Sequence, residues 1–336
     1  MAKQGYKLDQ IDLRIIQQLQ SNCRISNHEL AATIHLSESP CLRRHRSLER
    51  NGIIVGYTAI VEPSVLGFGV VAFIDVTLDR VLGDAEMFRR KVTANLAVTG
   101  CTATAGDYDF LLKVVAKDVA KISSFVNDTL RSIPGVKSTN INLTIAPDPA
   151  LFAFYNYFHP DHLDRHFDSQ TQALPSLDAI DLQIIRALLY NSRIRNVDLA
   201  RDTGQSHSSC LRRIRALEQS GIILGYTAVI APPALGRALV TFVGLKLKQR
   251  SALDSAKAML QDRSEVAAVH EVAGNIDLLL RVTTKDMDEY ARFVRECLRQ
   301  MDDITATHYS YAIDPTPTLF LSYKYKRLTL EKGKGR

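Results

Sequence analysis

The chain is 336 residues long, 46% hydrophobic, and carries 42 Lys and Arg against 36 Asp and Glu, a formal charge of +6. That length and composition fit a globular protein of about two to four domains, and the modest basic excess permits an anionic partner without requiring one. Five cysteines without a Cys-x-x-Cys pair, a polar N-terminus and no apolar run near the ~20 residues of a membrane span argue against a disulfide framework, a zinc ribbon, a signal peptide and a transmembrane helix; a cytoplasmic protein is expected.

In chain order, residues 9–50 place apolar side chains at helical spacing: Ile11, Ile15, Ile16 and Leu19, then Leu30, Ala31 and Ile34, then Leu42 and Leu48. Ser26-Asn27-His28-Glu29 predicts a capping box at the start of the second helix, and Ser37 suits the N-cap of the third. Gly52, and Gly221 in a later stretch like this one, fall where a left-handed C-cap wants glycine. IIVGYTAIV (53–61) then turns β-branched, and a wing hairpin is expected there. Beyond it the signals alternate: strand 70–78, helix 84–96, strands 98–104 and 110–115, helix 119–133, strand 136–145. That order, β-α-β-β-α-β, is the ferredoxin-like split unit.

HPDHLDRHFDSQTQALPS (159–176) is polar and aperiodic, a linker composition, and after it the chain begins again. Residues 8–79 align without gaps on 177–248 with about half of the positions identical. The match resumes at AGDYDFLLKVVAKD (105–118) against AGNIDLLLRVTTKD (273–286), and at LFAFYNY (151–157) against LFLSYKY (319–325). A repeat this long is a module copied in tandem, not a solenoid unit. The expected fold is α+β: two tandem copies of a winged helix-turn-helix domain (1–64 and 177–233), each followed by a ferredoxin-like βαββαβ sensing domain (65–158 and 234–326), with a linker at 159–176 and a basic tail at 327–336.

The third helix of each copy is basic. SPCLRRHR (39–46) and SSCLRRIR (208–215) follow a helix and a tight turn, where the reading helix of a helix-turn-helix enters the major groove. Candidate DNA contacts are Glu38, Ser39, Pro40, Arg43, Arg44 and Arg46, matched by His207, Ser208, Ser209, Arg212, Arg213 and Arg215. Arginine there grips guanine edges bidentately or clamps phosphates. The plain alternative is a solvated arginine face on a three-helix bundle. Cys41 and Cys210 beside Leu42 and Leu211 read as small core residues rather than redox sensors.

These residues carry a resemblance. LDQIDLRIIQQLQSNCRISNHELA…LSESPCLRRHRSLERNGIIVGYTAIVEPSVLG and its second copy both resemble the Lrp/AsnC family of bacterial feast/famine regulators, and the likeness covers almost the whole chain. It implies a winged helix-turn-helix followed by a ligand-sensing domain that dimerises, in chains that usually hold one copy. The tandem chain departs from that pattern, as do the turns before the basic helices. His35-Leu36-Ser37 lacks the family's glycine, and Gly204-Gln205-Ser206 lacks its leucine.

By the same resemblance, Gly106-Asp107-Tyr108-Asp109 contributes to an effector pocket between neighbouring dimers, lined also by Thr139. Glycine-turn amides, two carboxylates and a phenol can hold an amino-acid zwitterion; the plain reading of Asp107 is a solvated turn residue. Copy two reads Gly274-Asn275-Ile276-Asp277 with Thr307, so copy one is the better equipped. His159, His162 and His166 lack the companions of a metal site. Tyr155, Tyr157, Phe158, Tyr323 and Tyr325 read as packing residues at the exits of the sensing domains.

The expectation is a bacterial, sequence-specific regulator of promoter DNA that answers to a small molecule, an amino acid by the resemblance. It needs no cofactor, metal or membrane, forms homo-oligomers, and is not an enzyme. The alternative is an enzyme of the siroheme decarboxylase type, which resembles this family in fold and occurs as fused two-copy chains. The arginines kept in both copies separate the two readings in favour of DNA. Pairing of the two copies within one chain is expected, since fusion raises their effective concentration.

Overall fold

The computed structural model describes residues 8–62, 68–95, 97–145, 177–231 and 236–313. The linker at 159–176, its histidines His159, His162 and His166, the exit aromatics Tyr155, Tyr157, Phe158, Tyr323 and Tyr325, and the tail at 327–336 lie outside these residues.

The first head is built from α1 (Gln10–Ser21), α2 (Asn27–Thr33), α3 (Glu38–Arg50) and β1 (Ile54–Val61). Its starts are capped as the sequence requires: Asp9 with Asp12 and Ser26 with Glu29 both close capping boxes. Gly52 ends α3 in the left-handed region at φ 67°. The second head repeats this as α6 (Ala179–Tyr190), α7 (Asn196–Thr203), α8 (His207–Gln219) and β6 (Ile223–Ile230).

The expected wing hairpin is not formed among the described residues. Each head supplies one strand, and β1 pairs antiparallel with β6 of the other head. A lone strand leaves a row of amides and carbonyls unpaired, and the second copy completes it. Thr58 pairs with Thr227, the position that matches it in the repeat, so a pseudo-two-fold axis runs through this pair. The bonds around it come in matched sets. Thr58 Oγ1 donates to the Leu189 carbonyl (2.8 Å) and Thr227 Oγ1 to that of Gln20 (2.9 Å). The Cys23 amide donates to the Tyr226 carbonyl and the Ser192 amide to that of Tyr57, both at 3.1 Å. One apolar core, with Ile16, Leu19 and Leu48 from one head and Ile185, Leu188 and Leu217 from the other, runs through both.

The sensing domains follow the expected order. The first is β2 (Val70–Leu78), α4 (Ala85–Thr93), β3 (Val98–Gly106), β4 (Phe110–Ala116), α5 (Val119–Ser124) continued by a π turn (Phe125–Leu130), and β5 (Val136–Thr144). The second is β7 (Leu239–Leu247), α9 (Leu253–Gln261), β8 (Val266–Ala273), β9 (Leu278–Thr284), α10 (Met287–Glu296) and β10 (Ile304–Ala312). The first sheet, β3-β4-β2-β5, meets the second at both edges, β5 on β8 and β3 on β10, closing a barrel. Among the described residues the barrel has no open edge.

Strand alternation explains the layers. On β2, Ala72, Ile74 and Val76 face the helices, while Val71 and Phe73 face the opposite sheet. The inter-sheet layer also holds Val240, Phe242 and Leu279 from copy two, so the two copies share a core at this level as well. Asp75 is next in the inward row.

Candidate nucleic-acid interface and dyad cavity

The turn before each reading helix is left-handed: His35 sits at φ 60° and Gly204 at φ 64°. Ser37 and Ser206 are the N-caps, and the Ser206 side chain accepts from the Ser209 amide. On α3, Cys41, His45 and Leu48 point into the head, and their counterparts Cys210, Ile214 and Leu217 do so on α8. Glu38, Ser39, Arg43 and Arg46 are exposed, as are His207, Ser208, Arg212 and Arg215; Pro40 and Ser209 are half-buried. Arg43 and Arg46, three residues apart, share one helix face.

Arg44 and Arg213 depart from the expectation. Arg44 Nη1 donates to Asp9 Oδ2 (2.7 Å) and Asp12 Oδ1 (2.9 Å), tying α3 to the start of α1. Arg213 Nη1 makes the same clasp to Asp178 and Asp181, both at 2.8 Å. One residue along a helix is a turn of about 100°, which brings these arginines toward the bundle while their neighbours face outward. Their guanidinium groups are engaged in holding the head together. His45 likewise lies inside: its Nε2 meets the Tyr57 hydroxyl at 2.7 Å, and burial, helped by Arg193, pushes its pKa down. Burial also raises the Cys41 thiol, which matches its reading as core. Glu38 is paired with His28 at 2.9 Å, both exposed.

Sequence reasoning missed a second basic group. Arg24 stacks over Tyr226 (4.9 Å) and Arg193 over Tyr57 (5.1 Å), each reaching across the axis to the other head. With Ile194, Arg195 and Asn196 they line an open hollow of about 200 Å³. The signal was present as one Arg at matching positions of both copies, but only the inter-head pairing gives it a neighbour.

The residues of the effector turn divide by task. Gly106, at φ 148°, lies so close to β10 that a Cβ would strike the Tyr309 carbonyl. Its counterpart Gly274 is pressed in the same way on Asn142. Asp109 locks its own domain: its Oδ2 accepts from the Leu78 amide (2.7 Å) and its amide donates to the Val76 carbonyl (2.9 Å). Asp277 repeats this on Leu247 and Leu245. Thr139 stands opposite Val76, which places it on the helix side of the sheet, and the inward position next to it is Asn140.

Asp107 and Tyr108 are brought to copy two. The Asp107 amide donates to the Tyr309 carbonyl (3.1 Å) and Ser310 Oγ (3.2 Å); its Oδ2 accepts from the Tyr309 amide (3.1 Å) and meets His308 Nδ1 at 3.3 Å. Here a cavity of about 210 Å³ opens between the sheets. Its walls are Asp75, Asp107, Tyr108 and Asn140 from copy one and Gly244, Asn275, Ile276, His308 and Leu279 from copy two. The first four and the next four are matched positions of the repeat, so the cavity lies on the pseudo-dyad. Burial first, and then the Asp107 charge, push the Asp75 carboxyl up to about 7 against the pull of the Asn142 and Asn140 amides.

Deeper between the sheets lie Lys113 and Arg281, both buried, with His270 half-buried against Phe73. Burial lowers Lys113 to about 7, and burial with the nearby Arg281 and Lys113 charges lowers His270 to about 3.

Comparisons with known proteins agree with this architecture. The Lrp/AsnC ligand binding domain matches residues 71–146 and 240–316, and a winged helix-turn-helix DNA-binding domain matches 8–55 and 177–223. The leucine-responsive regulatory proteins of Escherichia coli (strain K12) and Klebsiella pneumoniae are each 40% identical to this chain over 136 residues, 40% of this chain and 83% of theirs. The crystal structure of the siroheme decarboxylase NirDL overlays with a TM-score of 0.62 over 90% of this chain and 91% of its own, at 14% identity. That likeness speaks for the two-copy fold alone. With two winged helix-turn-helix domains and two ligand-binding domains in alternation, the chain belongs to the Lrp/AsnC family of DNA-binding regulators.

Proposed function

We propose that the chain regulates transcription by laying both reading helices on one stretch of double-stranded operator DNA, in response to an amino-acid effector. The observation that carries the reading is the pair of exposed arginine faces, Arg43 with Arg46 and Arg212 with Arg215, on helices fixed to each other by the β1–β6 ribbon. Glu38, Ser39, His207 and Ser208 beside them are the base-reading candidates, with half-buried Pro40 and Ser209 at the helix starts. A regulator of this kind binds and releases; we assign no catalysis to it, and take the likeness to a decarboxylase as one of fold. Effector control and homo-oligomer formation rest on the family's sensing domain.

Fluorescence anisotropy with operator DNA from the gene's own upstream region tests the reading. Wild-type protein should bind with a steep salt dependence, and Arg43→Ala/Arg46→Ala together with Arg212→Ala/Arg215→Ala should flatten it by ~0.9 for each phosphate no longer neutralised. Equal affinity and equal slope in the variant would remove the heads from DNA binding.

A further inference from the structure

We infer that the cavity on the pseudo-dyad is a site for one small organic cation per chain, its ammonium group held between Asp75 and Asp107. The site lies inside a single chain; it shares Asp107 and Tyr108 with the turn that the family resemblance gives to a pocket between dimers, adds Asp75 and the copy-two wall, and stands whether or not the heads bind DNA.

A dyad cavity in a homodimer has identical opposite walls, and Asp75 would face its own copy. Here the walls have diverged at each matched position: Asp75 corresponds to Gly244, Asp107 to Asn275, Tyr108 to Ile276, and Asn140 to His308. Copy one supplies the acids, and copy two supplies room. Gly244 sits mid-strand in β7, where glycine costs stability and marks a close approach or a ligand. A Cβ there would lie 3.0 Å from two Ile276 carbons, so an alanine already crowds the space.

The lining also sets the ligand's charge. Among the described residues, the cavity has two carboxylates and no Lys or Arg; His308 is its one imidazole, and it already contacts Asp107. Burying a carboxylate without a cation is costly, and a ligand ammonium offsets that cost. Asn142 lies behind Asp75 and favours its ionised form, yet both polar atoms of its buried side chain lack a well-aligned partner. The lining offers a free carboxylate no lysine or arginine to pair with, so a simple amine fits better than a zwitterion. The apolar part of the wall, Ile276 and Leu279, takes the carbon chain.

Binding is then linked to pH through Asp75. The groups facing it are Asp107 and Tyr108 on the turn, Asn140 and Asn142 on β5, and His308 on β10. A carboxyl titrating at about 7 is mostly protonated at pH 6 and mostly ionised at pH 8. An alkylamine stays charged across that range, so affinity should rise about tenfold between the two.

Isothermal titration of the full chain with 1,4-diaminobutane, L-leucine and L-glutamate tests this. Expected are one diamine site per chain, tighter at pH 8 than at pH 6, weaker binding of L-leucine and no binding of L-glutamate. Asp75→Asn should remove the site, and Gly244→Ala, which touches no charge, should weaken it at least tenfold. Thermal unfolding of each variant confirms that it folds, and Gly244→Ala keeps the test alive if Asp75→Asn does not. Two diamine sites per chain, unchanged diamine binding in both variants, L-leucine binding that is tighter than the diamine's and lost in Asp75→Asn, or no saturable diamine binding at millimolar concentration would each overturn the inference. Loss of DNA binding in the same preparations would bear on the heads alone.

Discussion

The two copies agree where a residue holds the architecture, within its own domain or at the seam between copies, and differ on the walls of the dyad cavity. Arg44 and Arg213 make the same clasp, Asp109 and Asp277 the same strand lock, and Gly106 and Gly274 the same close seam. At the axis the pairs have separated: Cys23 meets Ser192, and in the cavity Asp75 is matched by Gly244 and Asn140 by His308. In a homodimer one codon sets both walls of a dyad site. Duplication frees the two walls to specialise, while each domain still needs its own clasps and locks. Agreement between the copies therefore marks architecture at these positions, and divergence at the axis marks where a new site can be built.

The largest effect that can break this comparison is on DNA binding. Arg43, Arg46, Arg212 and Arg215 are shared yet exposed, the exception to the rule, and replacing all four by alanine should lower affinity by several kcal/mol at ~1–3 kcal/mol for each bidentate grip removed. Arg44→Ala and Arg213→Ala should behave in the opposite way. Each leaves carboxylates at the start of a helix without their cation, and a urea melt should show a loss of about 2–3 kcal/mol. DNA affinity of the folded fraction should hardly change.

Seam glycines come next. Gly106→Ala and Gly274→Ala each drive a Cβ into the opposite copy and should cost roughly 1–3 kcal/mol, read as a lower melting temperature. Gly236→Ala is the control: it also has positive φ but meets nothing, so only about 1 kcal/mol of backbone strain is expected. The smallest effect is on sequence preference. Glu38 and Pro40 differ from His207 and Ser209 at the helix starts, so site selection from random DNA should return related but unequal half-sites. Exchanging residues 38–40 for 207–209 should make them more alike, and an unchanged preference would place the reading elsewhere.

Much of the fold is legible in the sequence because it depends on local signals. The capping box at Ser26, the left-handed Gly52 and the strands of the split unit are fixed by near neighbours in sequence. The wing is not legible, because a β-branched run does not say what it pairs with, and its partner lies in the other copy. Arg44 reads as a DNA contact because LRRHR is basic throughout; only helix phase and the distant Asp12 separate it from Arg43. The turn at Gly106–Asp109 reads as a unit, whereas strand geometry gives its glycine and last aspartate to the backbone and only Asp107 and Tyr108 to the cavity. Asp75 and Gly244 carry no signal at all, since their meaning comes from lining one cavity formed by both copies. Lys113 and Arg281 do carry one, a charge interrupting an apolar strand at the same place in both copies, FLLKVVA and LLLRVTT.

The central claim is that the two copies pair with each other within one chain, and the contact of Cys23 Sγ with Ser192 Oγ, 3.1 Å apart at the inter-head axis, tests it most directly. In Ser192→Cys two thiols meet there, and oxidation with diamide followed by non-reducing electrophoresis and peptide mass mapping reads out which residues have joined. Intrachain pairing gives a species of monomer mass in which Cys23 is cross-linked to the introduced thiol, and leaves the oxidised wild type without any link at Cys23. Covalent dimers joined through Cys23 to Cys23, in the variant or in the wild type, would show that like copies pair between chains and would contradict the pseudo-dimer.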